Sequence, residues 1–207
     1  MNTTFISFVT AAVLLVSNPA QIASPQPLAE VSYSLSNRNA NSSVNKVFAD
    51  NILLTLAYLG GKVKIGSEIS WNTVKADGEV RFILKPGETF AFHDNVTDKF
   101  RNKISATTNA HFNSFDGYKS DGWLIGNGVC HLASFLYVAA KNAGLEVEAP
   151  TNHDFAVIPN IENKDGVSIF SQSAQQNLYI TNNKSAPLAF VFIHTQEQVI
   201  IRIEQSN

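Results

Sequence analysis

Few residues of this chain can do covalent chemistry, and one stands apart. Cys130 is the single cysteine. It lies in Gly126-Asn127-Gly128-Val129-Cys130-His131, at the head of an apolar run with helical spacing. A helix N-terminus presents unpaired N–H groups and partial positive charge. A thiol placed there is drawn toward the thiolate, the form that attacks carbonyl carbon. The N–H groups that follow are positioned to receive an oxyanion. Gly126 and Gly128 permit a tight turn and close approach of a ligand to the backbone.

A thiol nucleophile needs a base. His153 precedes an extended run at Phe155, and Asp165 precedes another at Val167. In that order they supply the base and the orienting carboxylate of a Cys130–His153–Asp165 triad. His131 is adjacent to the cysteine, and adjacent helix residues point apart. It is therefore read as a rim or cap residue rather than the base. With Gly128, Trp123 and Tyr118 it is expected on a substrate-binding wall. The competing reading gives every one of these residues a packing or turn role: a small buried thiol, a turn histidine, core aromatics. His93, His111 and His153 lack the spacing of metal ligands, and there is no second cysteine, so no metal and no other cofactor is expected. His194 is expected at a solvated strand end.

The elements that must position these residues follow from periodicity. Val44, Val47, Phe48, Ile52, Leu56 and Leu59 predict a helix capped by Ser42 or Ser43 and stopped by Gly60-Gly61. Lys62 to Ile83 reads as strand-turn-strand about Asp77-Gly78. Pro86-Gly87 marks a turn into an extended segment from Thr89 to Phe92. Asp94 to Ser120 is polar and loop-rich. Leu132, Phe135, Leu136, Ala139, Ala140 and Ala143 form the apolar stripe of a helix from Cys130 to Ala143, with Gly144 as its stop. Strands are expected at Val31–Leu35, Leu145–Val147 and Phe155–Ile158. Weaker ones are expected at Val167–Phe170 and Gln176–Ile180. A closing hairpin joins Leu188–Ile193 to Val199–Ile203. The fold class is α+β: one domain, its central helix starting at the cysteine and packed on a mainly antiparallel sheet.

Composition bounds the rest. At 44% hydrophobic and 15% charged residues the chain can bury a real core. A net charge of -2 with no basic cluster gives no footing for nucleic acid. Phe5 to Val16 is apolar, too short to span a bilayer and suited to the core of a signal peptide. Residues 1–27 are read as signal peptide and linker, and residues 28–207 as the domain, with cleavage between about Ala20 and Leu28. An exported protein (secreted, periplasmic or in the cell envelope) with no transmembrane span after cleavage is the expectation.

Several of these stretches resemble the VanW family, named for a member of vancomycin-resistance gene clusters. They are Ser34-Leu35-Ser36-Asn37-Arg38 with the following helix, Leu84 to Phe92, Gly117-Tyr118, Gly126 to Cys130, Leu136-Tyr137 and Ala143 to Glu146. The resemblance covers about Val31 to Ile203. Leu84 to Phe92 and the glycine-cysteine-helix element are its most specific parts. It places the cysteine, one histidine and one aspartate at matching positions. Asn127 stands for a family glycine, His131 for a glutamine, and Thr151-Asn152-His153-Asp154 for His-Pro-His-Ser. Lys164-Asp165-Gly166-Val167-Ser168 stands for Arg-Asp-Ala-Thr-Val, and there is an insertion between Gly60 and Arg81. The order of cysteine at a helix start, then histidine and a polar residue, is also similar to transglutaminase-like and NlpC/P60-like folds. Two functions remain open. One is a thiol-dependent hydrolase or transferase acting on amide or peptide bonds, with peptidoglycan as substrate. The other is a non-catalytic envelope module that binds peptide or glycan in the same groove.

Overall fold

The computed structural model describes residues 26–206. The apolar run Phe5 to Val16, read as a signal peptide, lies outside the described residues. The chain forms β1 (Ala29–Ser34), α1 (Ser42–Leu59), α2 (Trp71–Lys75), β2 (Gly78–Leu84), β3 (Thr89–Ala91) and β4 (Ile104–Thr107). It continues through α3 (Val129–Asn142), β5 (Glu146–Glu148), β6 (Tyr179–Thr181), β7 (Leu188–His194) and β8 (Gln198–Gln205). This is the expected α+β architecture, divided between two four-stranded sheets.

The first sheet has the order β1-β8-β7-β2 and is antiparallel throughout. On β8 burial alternates, with Val199, Ile201 and Ile203 facing inward, as a half-solvated strand requires. β7 is apolar and buried along nearly its whole length, which fits a central strand covered on both faces. The second sheet has the order β4-β3-β6-β5, with β3 and β4 parallel and the other pairs antiparallel. Aromatic stacking joins the two: the Phe82 ring on β2 lies 4.8 Å from Phe90 on β3 and 4.7 Å from Phe190 on β7.

The two long helices fill the core between these sheets. α3 packs on β1, β5, β8 and α1. Phe135 of α3 stacks flat on Tyr33 of β1, with centroids 3.9 Å apart. α1 is buried from Ala49 to Tyr58. Its cap is Asn41 rather than Ser42 or Ser43: the Asn41 Oδ1 accepts the N–H groups of Ser43 at 3.0 Å and Val44 at 3.4 Å. α3 ends where Gly144 takes a φ of 65°, a left-handed angle that favours glycine.

Three expectations are corrected. Lys62 to Ile83 contains α2 and only one strand. The cause is Asp50, buried on α1, which gathers the ammonium groups of Lys75 at 2.7 Å and Lys119 at 2.6 Å. The Lys119 ammonium also sits 3.7 Å over the ring of Trp71, the first residue of α2. Phe155 to Ile158 is not a strand; Phe155, Ala156 and Val157 are exposed and line a cleft rather than a sheet. Val167 to Phe170 keeps one isolated bridge, Asn152 to Val167. It is held by side chains instead, as the site shows.

Candidate functional site

The loop before α3 is built by its own carboxylate. Asp121 Oδ1 accepts the N–H groups of Trp123 at 2.9 Å and Leu124 at 3.0 Å, and Asp121 Oδ2 accepts from Asn127 Nδ2 at 3.1 Å. Ser120 pairs with Ile125 across this knuckle. Its tip therefore holds Trp123, 92% exposed, and exposed Leu124 and Ile125. Asn51 of α1 ties the base of the loop from beneath: its side chain bonds the backbone of Lys119 and the Asn127 carbonyl.

Gly128 caps α3 with φ 98°. A Cβ at this position would lie 2.5 Å from the Phe48 carbonyl oxygen on α1. The close approach that glycine permits here is between two parts of the protein. Cys130 follows as the second residue of α3. Its Sγ accepts the Ile169 N–H at 3.4 Å and faces the Ile169 carbonyl oxygen at 3.9 Å. Ser134, one turn on, donates to the Cys130 carbonyl at 2.7 Å and accepts the Val167 N–H at 2.8 Å. These bonds fix residues 167–169 along the helix without a sheet ladder. Ser134 carries no motif signal, and sequence reasoning passed over it.

Cys130, His131 and His153 line one cleft of about 710 Å³, together with Gly128 and Trp123. Cys130 is half-buried. Burial pushes its thiol up to about 11, against which the Ile169 N–H acts only partly. His153 is buried, and its Nδ1 donates to the Ala156 carbonyl at 3.0 Å. A carbonyl can only accept, so Nδ1 carries the proton and Nε2 is the basic nitrogen. Burial holds the His153 pKa below its ordinary value. His131 is 5% exposed, packs edge-on against Phe48 at 4.9 Å, and its Nδ1 has no hydrogen-bond partner. Burial, the Arg38 charge and His153 hold its pKa down at about 3.

Asp165 and Tyr118 lie elsewhere. The Asp165 carboxylate pairs with Lys141 Nζ at 2.6 Å, near the far end of α3, and it is not part of the cleft lining. The Ala156 carbonyl holds the His153 tautomer, the task assigned above to Asp165. Tyr118 is buried in the core, its hydroxyl 3.0 Å from Thr55 Oγ1, and burial raises its pKa well above the ordinary phenol value. His93 is fully buried and bonded to Asn177 and Gln176, and His194 is buried rather than solvated. Among the described residues no three His, Cys, Asp or Glu side chains group as metal ligands. No described helix is long and apolar enough to cross a membrane.

Sequence reasoning also missed Arg38. It lines the cleft while only 2% exposed, with its guanidinium 5.0 Å over the Phe135 ring. Nothing about a lone arginine in a polar loop signals burial; only the return of Pro159 and Asn160 onto it does.

No curated protein and no solved structure matches the chain. A family model described as VanW like protein matches residues 72–204, from within α2 into β8, and takes in the cysteine loop, α3 and both returning segments of the cleft. Covering more than half of the chain, that match makes the protein a member of the VanW family.

Proposed function

We propose that this protein is an exported cell-envelope component whose cleft binds a peptide, with Cys130 resting as a neutral thiol in the wall. The observation that carries this reading is the cleft. Its volume suits a short peptide segment. Its rim gathers exposed Trp123, Leu124, Ile125, Phe155, Val157 and Phe170. Soluble proteins rarely leave such an apolar rim uncovered unless it meets a ligand. No aspartate or glutamate lines the cleft, so the carboxylates that commonly grip sugar hydroxyls are missing, which favours peptide over glycan. Export rests on the apolar run Phe5 to Val16, and the VanW family's tie to vancomycin resistance makes peptidoglycan peptides the first class to try.

The test is titration of soluble peptidoglycan peptides and matched saccharide fragments, followed by tryptophan fluorescence. Peptide binding that weakens in Trp123→Ala supports the reading; saccharide binding alone overturns it. Mass measurement of the protein from cell fractions tests export, with a mature start between about Ala20 and Leu28 expected.

A second reading, a thiol hydrolase or transferase, is favoured by one observation: the Ala156 carbonyl leaves His153 Nε2 free to take a proton in the cleft that holds Cys130. In that chemistry Sγ adds to an amide carbon as its proton passes to His153, which then protonates the leaving amine. Release of amine from bound peptides, lost in Cys130→Ser, would establish it.

A further inference from the structure

Arg38 is the lone lysine or arginine among the residues that line the cleft. Seventeen acidic residues belong to the chain, yet none lines this cleft, while Arg38 and three histidines do. Arg38 is buried without a carboxylate. Its Nε and Nη2 donate to Asn37 Oδ1, Nη2 also to Asn160 Oδ1 at 3.0 Å, and Nη1 to the Pro159 carbonyl at 3.1 Å. All three acceptors are neutral, and one N–H of Nη1 remains. No ion pair to Arg38 exists among the described residues. An unneutralised buried guanidinium is costly, and a bound anion relieves that cost.

Three further features belong to the same cleft lining, at and just before the first turn of α3. The Cys130 N–H turns onto its own thiol, the His131 N–H meets no backbone acceptor among the described residues, and Gly128 supplies no capping side chain. His131 and Arg38 face the same Phe135 ring, at 6.4 Å and 5.0 Å, and the His131 Nδ1 is buried without a partner. Asn127 Oδ1 is likewise buried and unpartnered, with its Nδ2 committed to Asp121. A helix start, a buried cation and an idle imidazole together accept one anion. The unpaired amide oxygen beside them calls for an N–H donor. A carboxylate next to a peptide N–H is the chain end of a peptide.

We propose that the cleft recognises the free C-terminal carboxylate of its peptide, held between Arg38, the α3 N-terminus and His131, with Asn127 Oδ1 taking the last peptide N–H. This rests on the peptide-binding reading and narrows it to carboxylate-terminated peptides with an apolar side chain near the end, directed at the Trp123 rim.

The decisive comparison uses ligands rather than variants. N-acetyl-Phe-Ala with a free carboxylate, its C-terminal amide, and sodium acetate alone are titrated into the mature protein by calorimetry and tryptophan fluorescence. The acid is expected to bind roughly tenfold or more tighter than the amide, the scale of charge-assisted hydrogen bonds. That preference should collapse in Arg38→Gln and shrink in His131→Phe. Equal binding of acid and amide overturns the carboxylate site and leaves the peptide cleft standing. Acetate binding as tightly as the acid reduces the site to a small-anion site and overturns the peptide-end assignment. No binding of either peptide, while longer internal peptides bind, also overturns it; no binding of any peptide removes the underlying reading as well. Should Arg38→Gln fail to fold, the acid-to-amide ratio in the unmodified protein and in His131→Phe decides.

Discussion

Replacing Gly128 by alanine tests the junction on which the whole cleft hangs. Two costs add. The backbone is at φ 98°, where a side chain is disfavoured by about 1–2 kcal/mol. The new Cβ would also stand 2.5 Å from the Phe48 oxygen, 3.0 Å from its Cα and 3.1 Å from its carbonyl carbon. These are backbone atoms of a buried helix and cannot swing aside, so overpacking adds about 1–3 kcal/mol. The sum, about 2–5 kcal/mol, is a large share of the 5–15 kcal/mol that holds a typical domain. Gly122 is the natural control. Its φ is 102°, yet a Cβ there meets nothing within 4 Å. Gly122→Ala isolates the backbone cost, and the difference between the variants isolates the contact with α1. Thermal unfolding by circular dichroism should place Gly128→Ala about 3–9 °C below Gly122→Ala, at roughly 3 °C per kcal/mol for a domain of this size. Equal midpoints would refute the claim that α1 and the α3 start touch too closely for a methyl group. Gly128→Val should fare worse still, since a β-branched side chain tolerates positive φ least.

Three other outcomes are expected. Iodoacetamide labelling of Cys130 should be slow at neutral pH and rise with pH toward a midpoint near 11; fast labelling with a midpoint at or below that of a free thiol would restore the activated nucleophile. Unfolding free energy should fall as pH drops from about 6.5 toward 3, because His131 titrates near 6.5 in the unfolded chain but stays neutral to about 3 in the fold; His131→Phe should flatten that slope, and an unchanged slope counts against its buried neutral state. Asp165→Asn should cost no more than about 1 kcal/mol, since the Lys141 partner is 45% exposed, and should leave peptide binding and Cys130 labelling unaltered.

Local signals in the sequence carried local structure well. Apolar spacing and flanking glycines placed α1 and α3 almost to the residue, and the Leu188 to Ile203 hairpin was legible from one continuous apolar run followed by an alternating one. The cleft itself depends on contacts between distant segments. Phe155-Ala156-Val157-Ile158 is a short apolar run like that of a strand, but its neighbours Asn152 and His153 are already paired with residues 166 and 167, so no ladder is available to it. Cys130 and His153 were legible as candidates from chemistry and order alone. The shift of the tautomer contact from Asp165 to a backbone carbonyl was not, because every residue has a carbonyl and none announces its use. His131 was set aside by the rule that helix neighbours diverge, yet a cleft wide enough to wrap the helix start receives both.

The pairing of β1 with β8 bears on how the chain reaches this state. Glu30 and Arg202, 172 positions apart, meet across the two strands. Closing a loop of that length costs about 4–5 kcal/mol of chain entropy before any contact repays it. During synthesis β1 emerges early and stays without its partner until β8 has left the ribosome. Its face of Ala29, Val31 and Tyr33 must then remain uncovered while the rest of the chain is made. Folding dominated by such a contact is slow, which leaves time for a chaperone to engage the chain while it is still open.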